Sequence, residues 1–292
     1  MSTDSLSFSV RERLQYIEFL LQFRGWLARA DLVEKFSMSA PAATRDFRKY
    51  KDLAPDNLDF DDSQKKYVIE EKTFRPLFPL KIYEALGRLR SPVIAESLGL
   101  DQNDSFTVPP RLSFPKLEVL MPLTRAILNG SAISISYLSV KNGESKRVIA
   151  PHSLVDNGLR LHVRAYDFKR NKFCDFVLSR VIDIENTDEH VSPSLTRAGD
   201  HQWNRFIRLE LVPHPNIANV ENPKTIEHDF DMQNGHKVIH VRAAVAGYWL
   251  RLWNVDCTKE ASLEGHVYQL WLRNHETLYD VGSALLAPHS PT

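Results

Sequence analysis

The strongest constraint on the fold of this chain is an ordered set of helix signals in its first quarter. Apolar residues recur at helical spacing at Val10, Leu14, Ile17 and Leu21. This spacing predicts a first helix that ends near Gly25, and a shorter apolar pattern at Leu32 and Phe36 predicts a second helix. Ser39 is then a natural N-cap and Pro41 falls in the first turn, where its missing N–H costs nothing, so a third helix begins here.

The predicted third helix has two chemically different faces. Ala43, Phe47 and Tyr50 share one face, which should pack against the first two helices. The opposite face carries hydroxyl and basic residues, namely Thr44, Arg45, Arg48 and Lys49. Two helices joined by a short turn, the second with such residues pointing outward, match the way a recognition helix enters the major groove of DNA. Ser39, at the start of this helix, is a further predicted DNA contact.

A predicted hairpin follows the third helix. Leu58–Phe60 and Tyr67–Ile69 have the composition of short strands, and the turn between them would bring Lys65 and Lys66 near a phosphate backbone. A basic face on an isolated helix is usually only solvated. The complete order of elements instead predicts that residues 1–75 form a winged helix-turn-helix domain that binds DNA.

Residues 76–130 are predicted to connect domains rather than to carry chemistry. Apolar residues at helical spacing predict one helix, at Leu80, Tyr83, Leu86 and Leu89. Prolines break regular elements, and several of them follow, at Pro92, Pro109, Pro110, Pro115 and Pro122. The middle of this region is therefore expected to be irregular, with a short helix near Leu117 to Asn129. We interpret it as a bridging arm that also supports a dimer.

Residues 131–190 have the pattern of a small β domain. Asn142-Gly143 and Asn157-Gly158 each lie between β-rich runs, which is the strongest short-range signal for a hairpin. The predicted strands are Ala132 to Val140, Leu159 to Tyr166 and Phe173 to Arg180. Several short strands in so little chain favour a central SH3-like or Sm-like β-barrel.

One face of this predicted β domain is rich in basic and aromatic side chains. Along the second of these strands, apolar residues alternate with Arg160, His162, Arg164 and Tyr166. Guanidinium groups bind phosphate through paired hydrogen bonds, and His and Tyr can stack on bases. We therefore interpret this outward face as a pocket for a phosphorylated or nucleic-acid ligand. Alternation alone also fits a merely polar outer face.

The same β domain resembles a known family. The resemblance lies in four runs, Ile133 to Tyr137 (ISISY), Ala150 to Leu154 (APHSL), Gly158 to Asp167 (GLRLHVRAYD) and Phe176 to Arg180 (FVLSR). They are similar to the WYL domain, whose name-giving Trp-Tyr-Leu triplet is replaced here by Leu161-His162-Val163. Nearly the whole chain resembles the WYL-domain transcription regulators of bacteria, in particular the repressors associated with phage-defence operons.

The resemblance implies a function and a site. Such proteins are homodimeric regulators, commonly repressors, whose WYL domain is thought to sense a ligand, which is single-stranded DNA in some relatives. The resemblance places seven residues in the sensing site, namely Tyr137, Ser139, His152, His162, Arg164, Ser179 and Arg180. It also implies that residues 200–292 are a dimerisation extension, often a small ferredoxin-like unit that crosses to the partner subunit.

The C-terminal stretch itself has an α/β pattern. Apolar residues alternate with polar ones in a predicted strand, at Ile207, Leu209 and Leu211. This strand stops at Pro213, Asn234-Gly235 marks a later turn, and a helix is predicted from about Arg242 to Trp253. The aromatic residues of that helix, Tyr248, Trp249 and Trp253, are interpreted as core or dimer contacts rather than platforms for bases.

The formal net charge of zero hides an uneven distribution. Residues 125–180 carry 10 basic and 4 acidic side chains, whereas residues 181–292 carry 9 basic and 15 acidic ones. Neutrality of the whole chain is therefore not evidence against a nucleic-acid partner. We hypothesise that the acidic C-terminal domain lies against the cationic sensing face of its own or the partner subunit.

Other classes of protein find no support in the sequence. Cys174 and Cys257 fit a reducing compartment, and the segment Met1 to Val10 does not resemble a signal peptide. No apolar run is long enough to span a bilayer, so a cytoplasmic protein without a membrane partner is expected. No catalytic motif or metal-ligand spacing appears, including at His236 and His240, which lie on a predicted strand. We therefore expect no enzyme, no cofactor and no metal.

These observations together predict an α+β multidomain protein with a winged helix-turn-helix, a WYL domain and a C-terminal α/β domain. As a homodimer it would bind an inverted-repeat operator in double-stranded DNA. A nucleic-acid or nucleotide effector at the WYL domain would control that binding. Two alternatives remain open: an RNA- or single-strand-binding module that uses the β domain as its platform, and an adaptor whose helix-turn-helix only mediates protein association.

Overall fold

A computed structural model describes residues 6–91, 98, 107 and 109–289. The chain divides into two compact units, Met1–Pro110 and Arg111–Thr292. The predicted irregular stretch that begins at Pro92 lies largely outside the described residues, as does the start of the segment Met1 to Val10. No helix in the described ranges is long and apolar enough to cross a membrane.

The described part of the first unit contains four helices and a small sheet. Its helices are α1 (Phe8–Arg24), α2 (Arg29–Phe36), α3 (Ala40–Leu53) and α4 (Ile82–Leu89). Its strands are β1 (Trp26–Leu27), β2 (Leu58–Asp61) and β3 (Lys66–Ile69), in the order β1-β3-β2 with antiparallel neighbours. Gly25 ends α1 with a φ of 82°, a conformation that glycine adopts without strain. The predicted helices and wing hairpin of this domain are confirmed.

The core of the first unit joins the predicted apolar faces. Ala43, Phe47 and Tyr50 of α3 are fully buried together with Leu14 and Ile17 of α1. The Phe47 ring also stacks on Tyr67 of β3 at a centroid distance of 4.0 Å. The third helix is therefore held against both the helical core and the wing. Strand β1, which pairs with β3, was not predicted because two residues are too short to show a period.

The second unit begins with α5 (Leu117–Asn129) and a five-stranded antiparallel sheet. The strands are β4 (Ile133–Ser139), β5 (Gly143–Asp156), β6 (Leu161–Asp167), β7 (Lys172–Val177) and β8 (Val181–Asn186). Their order is β7-β6-β5-β4-β8. Gly143 and Gly158 have φ values of 64° and 84°, so both predicted Asn-Gly turns are confirmed.

Two details of the predicted β domain differ from the structure. The edge strands β7 and β8 do not pair, so the sheet is not closed and the SH3-like or Sm-like barrel is not confirmed. The strand predicted to reach Arg180 ends at Val177. A 3₁₀ turn, Leu178–Arg180, follows instead and leads the chain into β8, because Leu178 turns into the core.

The C-terminal part forms a second sheet in the same unit. Its elements are α6 (His201–Asn204), β9 (Phe206–Pro213), α7 (Pro223–Asp229), β10 (Lys237–Arg242), α8 (Ala246–Leu252), β11 (Val255–Asp256) and β12 (Leu270–Leu272). The strand order is β10-β9-β12-β11. A ferredoxin-like unit runs strand, helix, strand, strand, helix, strand, whereas here helices follow both β9 and β10, so that detail is not confirmed.

The predicted C-terminal helix starts later than expected. Arg242 still belongs to β10, and a 3₁₀ turn, Ala243–Val245, precedes α8. Trp249 and Trp253 pack against the apolar core of this part, and Tyr248 packs on a smaller cluster around Ala244. These placements agree with the interpretation of the three aromatic residues as packing contacts.

Candidate DNA-binding surface and ligand site

The outward face of α3 presents two unpaired guanidinium groups. Arg45 and Arg48 are exposed, on the side opposite the buried Phe47 and Tyr50. Neither forms a hydrogen bond or an ion pair with another residue in the described part of the chain. Two free forks on one helical face can bind phosphate or the edge of a base without first breaking a contact within the protein.

The acidic residue in the middle of α3, Asp46, is neutralised by a basic residue of α1. Asp46 is only 5% exposed and binds Arg13 of α1 through two contacts, Nε to Oδ2 at 2.5 Å and Nη2 to Oδ1 at 3.3 Å. This paired geometry is the strong form of a charge-assisted hydrogen bond. Arg13 therefore removes a negative charge from the helix that carries the basic face, and it fixes α3 to α1.

The other predicted contacts on α3 differ in accessibility. Ser39 is the exposed N-cap residue, but its side chain makes no capping hydrogen bond. The Thr44 hydroxyl donates to the Ala40 carbonyl at 3.0 Å, and Lys49 is half-buried. The structure thus places all of these residues on or beside the predicted face, with Arg45 and Arg48 the most available.

The wing lysines interact with neighbours inside the first unit. The Lys65 ammonium lies 3.3 Å from the Asp62 carboxylate, in an exposed pair. The Lys66 ammonium lies 3.6 Å from the centre of the Trp26 ring, a cation–π contact that the sequence did not reveal. Asp61 caps the turn, and the Ser63 hydroxyl is the main cause that lowers the pKa of its carboxyl. The wing therefore carries both signs of charge.

A buried carboxylate connects α3 to the segment that follows the wing. Glu18 of α1 is 2% exposed. It accepts hydrogen bonds from the Tyr50 hydroxyl at 2.9 Å and from the backbone N–H groups of Leu77 and Phe78, each at 2.8 Å. Burial, and then the charge of Glu18, raise the pKa of Tyr50. Sequence reasoning missed Glu18, since an acidic residue on an amphipathic helix normally faces water.

The structure divides the seven predicted sensing residues among different places. Tyr137, Ser139 and Arg180 come together in a pocket of about 180 Å³ in the five-stranded sheet. The remaining lining residues are Val140, Lys141, Arg147, Arg170, Asp175 and Phe176. The lining therefore carries four cationic side chains and one acidic one. Arg147 and Arg170 also pair with the buried Asp167, at 3.6 and 3.7 Å, so Lys141 and Arg180 are the cations that best fit an anionic ligand.

Tyr137 and Arg180 have different environments within this pocket. The Tyr137 hydroxyl accepts a hydrogen bond from the Val177 N–H at 3.2 Å, and its ring meets Phe176 edge-on. Tyr137 is thus held in place by both bonding and packing. Arg180 is half-buried and forms no hydrogen bond or ion pair with the described residues, so its guanidinium is free to bind a ligand.

His162 and Arg164 do not form an outward face, and the prediction that they do is wrong. They are 5% and 7% exposed. The Tyr248 ring of α8 covers His162 at a centroid distance of 5.0 Å. Arg164 binds Asp200 through its Nε at 2.6 Å and its Nη2 at 3.1 Å. Burial lowers the pKa of His162, so its neutral form is favoured.

His152 and Ser179 lie apart from the pocket. His152 contacts the Asp200 carboxylate at 3.2 Å through Nε2 and the Ser153 hydroxyl at 2.9 Å through Nδ1. Ser179 is exposed on the 3₁₀ turn and does not line the pocket that Arg180 lines. Although burial opposes its ionisation, hydrogen bonds from His152 and Arg164 lower the pKa of Asp200 to about 2.

Several residues of this site were not predicted. Lys141, Arg147, Arg170 and Asp175 line the pocket, and the basic ones belong to the cationic block of residues 125–180. The excess of basic residues in this block was therefore the sequence signal from which they could have been predicted. Among the described residues, no group of three or more His, Cys, Asp or Glu side chains is arranged to hold a metal ion.

Three family models match the chain in the order of its domains. The "BrxR transcriptional regulator winged helix-turn-helix domain" matches residues 9–85, and the WYL domain matches residues 118–186. The "BrxR transcriptional regulator, C-terminal dimerization domain" matches residues 206–278. The class of the protein is therefore that of the WYL-domain transcription regulators with a winged helix-turn-helix, as the resemblance indicated.

Similar proteins carry the name DNA-binding transcriptional repressor CapW. The protein from Escherichia coli (strain KTE188) is 32% identical over 275 residues, which cover 91% of this chain and 90% of the relative. That from Pseudomonas aeruginosa is 31% identical over 277 residues, covering 92% and 90%. That from Stenotrophomonas maltophilia is 31% identical over 254 residues, covering 84% and 83%. The chain belongs to the CapW family.

Proposed function

We propose that this chain is a homodimeric repressor that binds a specific double-stranded operator through α3. The observation that carries the proposal is the pair of free, exposed guanidinium groups of Arg45 and Arg48 on the outward face of α3. The names of the relatives support repression, and the name of the matched C-terminal domain supports a dimer. The proposed role is non-enzymatic and cytoplasmic.

Proposed boundaries accompany this function. We assign residues 1–75 to DNA binding, 76–130 to a connecting arm, 131–190 to ligand sensing and 200–292 to dimerisation. A two-fold dimer would read an inverted repeat whose half-sites are a whole number of helical turns apart, about 10–10.5 base pairs each. Regulation of a phage-defence operon is part of the proposal and is supported by the resemblance alone.

The chemistry of Arg45 and Arg48 favours guanine in each half-site. The two residues are three positions apart, so their side chains leave the same face of α3 about 5–6 Å apart at Cβ. An arginine fork matches the O6 and N7 acceptors of guanine in the major groove. We assign Ser39, Thr44 and Lys49 to adjacent contacts with bases or phosphates.

The wing has a smaller part in this proposal. Lys65 and Lys66 are assigned to the phosphate backbone, but each must exchange an existing contact for one with DNA. Because phosphate contacts release counterions, Lys65→Gln should weaken operator and random duplex about equally and reduce the salt slope of binding by about one. A loss confined to the operator would contradict the backbone assignment of Lys65.

Variants of Arg48 test the recognition face. Arg48→Ala should weaken operator binding by about 5- to 150-fold, the range expected for a paired contact with a base. Arg48→Lys is the matched control for charge, since it keeps the positive charge but loses the planar fork. It should recover binding to random duplex more completely than binding to the operator.

Modified DNA then identifies the base. Replacing the operator guanines with 7-deazaguanine removes the N7 acceptor without altering base pairing. The wild-type protein should bind this DNA more weakly than the unmodified operator. The Arg48→Ala protein should bind the two DNAs with nearly equal affinity. If the Arg48→Ala protein bound the unmodified operator as tightly as the wild type at the same salt concentration, the assignment of the recognition face would be wrong.

We propose that the ligand site lies in the pocket lined by Tyr137, Ser139 and Arg180. The free cation of Arg180 and the excess of positive charge in the lining support a nucleotide or nucleic-acid effector. Ser179 precedes Arg180 in the chain but does not line the pocket. His152, His162 and Arg164 do not line this pocket, and in this proposal they act on the ligand only through other groups, such as the Asp175 partner of Arg164.

A labelled single-stranded hexathymidylate tests this site. The wild-type protein should bind it and the Arg180→Ala variant should not. Lys169→Ala is the matched control, because Lys169 is an exposed cation that does not line the pocket. Equal binding by Arg180→Ala and Lys169→Ala would show that only general charge attracts the oligonucleotide.

A further inference from the structure

One acidic side chain in the cationic pocket has a contact on each of two neighbouring elements. Asp175 of β7 is the single acidic residue in a lining that also holds Lys141, Arg170 and Arg180. An acid there opposes the binding of an anion, so anion affinity does not explain it. Its contacts lead away from the pocket, toward the C-terminal part of the same unit.

Each oxygen of the Asp175 carboxylate has a different partner. Oδ1 accepts a hydrogen bond from Arg164 Nη1 at 3.1 Å, and Oδ2 accepts one from the Tyr248 hydroxyl at 3.1 Å. Burial, and then the charge of Asp175, raise the pKa of Tyr248, so the phenol stays protonated as the donor. The Asp175 side chain is 14% exposed, so solvent screens these bonds only weakly.

Both partners connect to elements of the C-terminal part. Arg164 binds Asp200, which is the N-cap of α6 and accepts from the Trp203 N–H at 3.1 Å. Tyr248 lies on α8, whose Gly247 N–H donates to the Ser283 hydroxyl at 3.0 Å. Helix α8 falls within residues 206–278, which match the family's dimerization domain. A displacement of Asp175 would therefore disturb the contacts that hold α6 and α8.

We propose that Asp175 is a ligand-responsive latch between the sensing pocket and the C-terminal domain. The inference rests on the proposed repressor function and names how its site is regulated. An anion in the pocket attracts Arg170 and Arg180 and repels the Asp175 carboxylate. Asp175 then releases Tyr248 and weakens its bond to Arg164, so α8 moves. The released state has the lower affinity for the operator.

Two substitutions imitate the released state without any ligand. Tyr248→Phe removes only the hydroxyl donor and keeps the ring against His162. Asp175→Asn removes the charge at nearly constant shape. Tyr166→Phe is the matched control, since within the described ranges the Tyr166 hydroxyl has one hydrogen-bond partner, Asn171 at 3.5 Å, in the turn of the same sheet. The experiment uses the full-length dimer of each variant.

Hydrogen exchange and operator titration are the two readouts. Tyr248→Phe and Asp175→Asn should speed amide exchange in residues 246–252 and weaken operator binding by at least about fivefold, a typical coupling between two sites. Tyr166→Phe should do neither. Asp175→Asn leaves one acceptor oxygen for the two donors, Arg164 and Tyr248. Because both changes weaken the same contact, the double variant should weaken operator binding no more than the stronger single variant.

Two results would overturn the latch. Unchanged amide exchange in residues 246–252 would show that the Asp175–Tyr248 bond does not stabilise the position of α8. Faster exchange with unchanged operator affinity would show a structural contact without a regulatory role. If the wild-type protein does not distinguish its operator from random duplex, the repressor proposal fails instead, and that result is separate from the behaviour of the variants.

Discussion

Replacing Asp200 with asparagine should destabilise the second unit by about 2 kcal/mol at neutral pH. Its side chain is 1% exposed and bonded to His152 and Arg164, which together lower the carboxyl pKa from 3.8 to about 2. At about 1.36 kcal/mol for each unit of pKa, that difference corresponds to about 2 kcal/mol of stability from the ionised form. Asparagine keeps the shape but cannot supply this charge.

The pH dependence has a definite sign. The folded pKa lies below the unfolded one, so the stabilisation is fully present above about pH 4 and is lost as pH falls toward 2. The difference between wild type and Asp200→Asn should shrink to about 1 kcal/mol at pH 3. Urea unfolding at fixed protein concentration, followed by tryptophan fluorescence, measures it.

A matched control separates this charge from charge in general. Asp183 is an exposed carboxylate on β8, and Asp183→Asn should change stability by less than about 0.5 kcal/mol. If Asp200→Asn were as stable as the wild type at pH 7, the buried pair with Arg164 would contribute nothing net. If its deficit did not change between pH 7 and pH 3, the pKa argument would be wrong.

Further predictions concern close packing and the Glu18 carboxylate. Gly247→Ala places its methyl carbon 1.8 Å from the Ser283 carbonyl oxygen, so it should cost more than about 4 kcal/mol or prevent the second unit from folding; a normal melting temperature would contradict this. The added methyl carbon of Gly87→Ala has no neighbour within 4 Å among the described residues, and Gly87 lies in α4, so thermal unfolding should show a gain of about 0.5–1 kcal/mol rather than a loss. Glu18→Gln turns an amide donor either toward the Phe78 N–H, or toward the Leu77 N–H and the Tyr50 hydroxyl, and should cost about 1–3 kcal/mol in urea unfolding, whereas an unchanged midpoint would argue against the buried network.

The predicted elements that the structure confirms are those with a strong local signal. Ser39 and Pro41 mark the start of α3, and the Asn-Gly dipeptides ending in Gly143 and Gly158 mark the turns, because each depends only on neighbouring backbone geometry. Burial of one face of α3 followed from its period. Such features could be predicted before any tertiary contact was known.

The features that could not be predicted depend on residues far apart in the chain. Alternation along β6 shows that His162 and Arg164 face away from one core, but not that Tyr248 and Asp200 cover them. The contact between Lys66 and the Trp26 ring of β1 could not be predicted for the same reason. The buried face of α3 could be predicted from its own period, whereas only three of the seven residues predicted for sensing, Tyr137, Ser139 and Arg180, meet in one pocket.

The hypothesis of an acidic cover over the cationic sensing face gains a specific contact. Asp200, at the start of the C-terminal stretch, binds Arg164 of β6 within the same subunit. The cover reaches Arg164 but not Arg180, which still lines the open pocket. The two blocks meet at the buried pair of Arg164 with Asp200 and at an exposed pair of Lys146 with Glu185, at 3.0 Å. Arg180 belongs to neither pair.

The most direct test of the central claim is a titration of the full-length protein with DNA from upstream of its own gene. At fixed salt, the protein should prefer that duplex over random duplex by about 10³-fold or more, with a footprint symmetric about a two-fold axis. Equal affinity for both duplexes, or tighter binding to single-stranded DNA of the same sequence, would contradict a sequence-specific repressor.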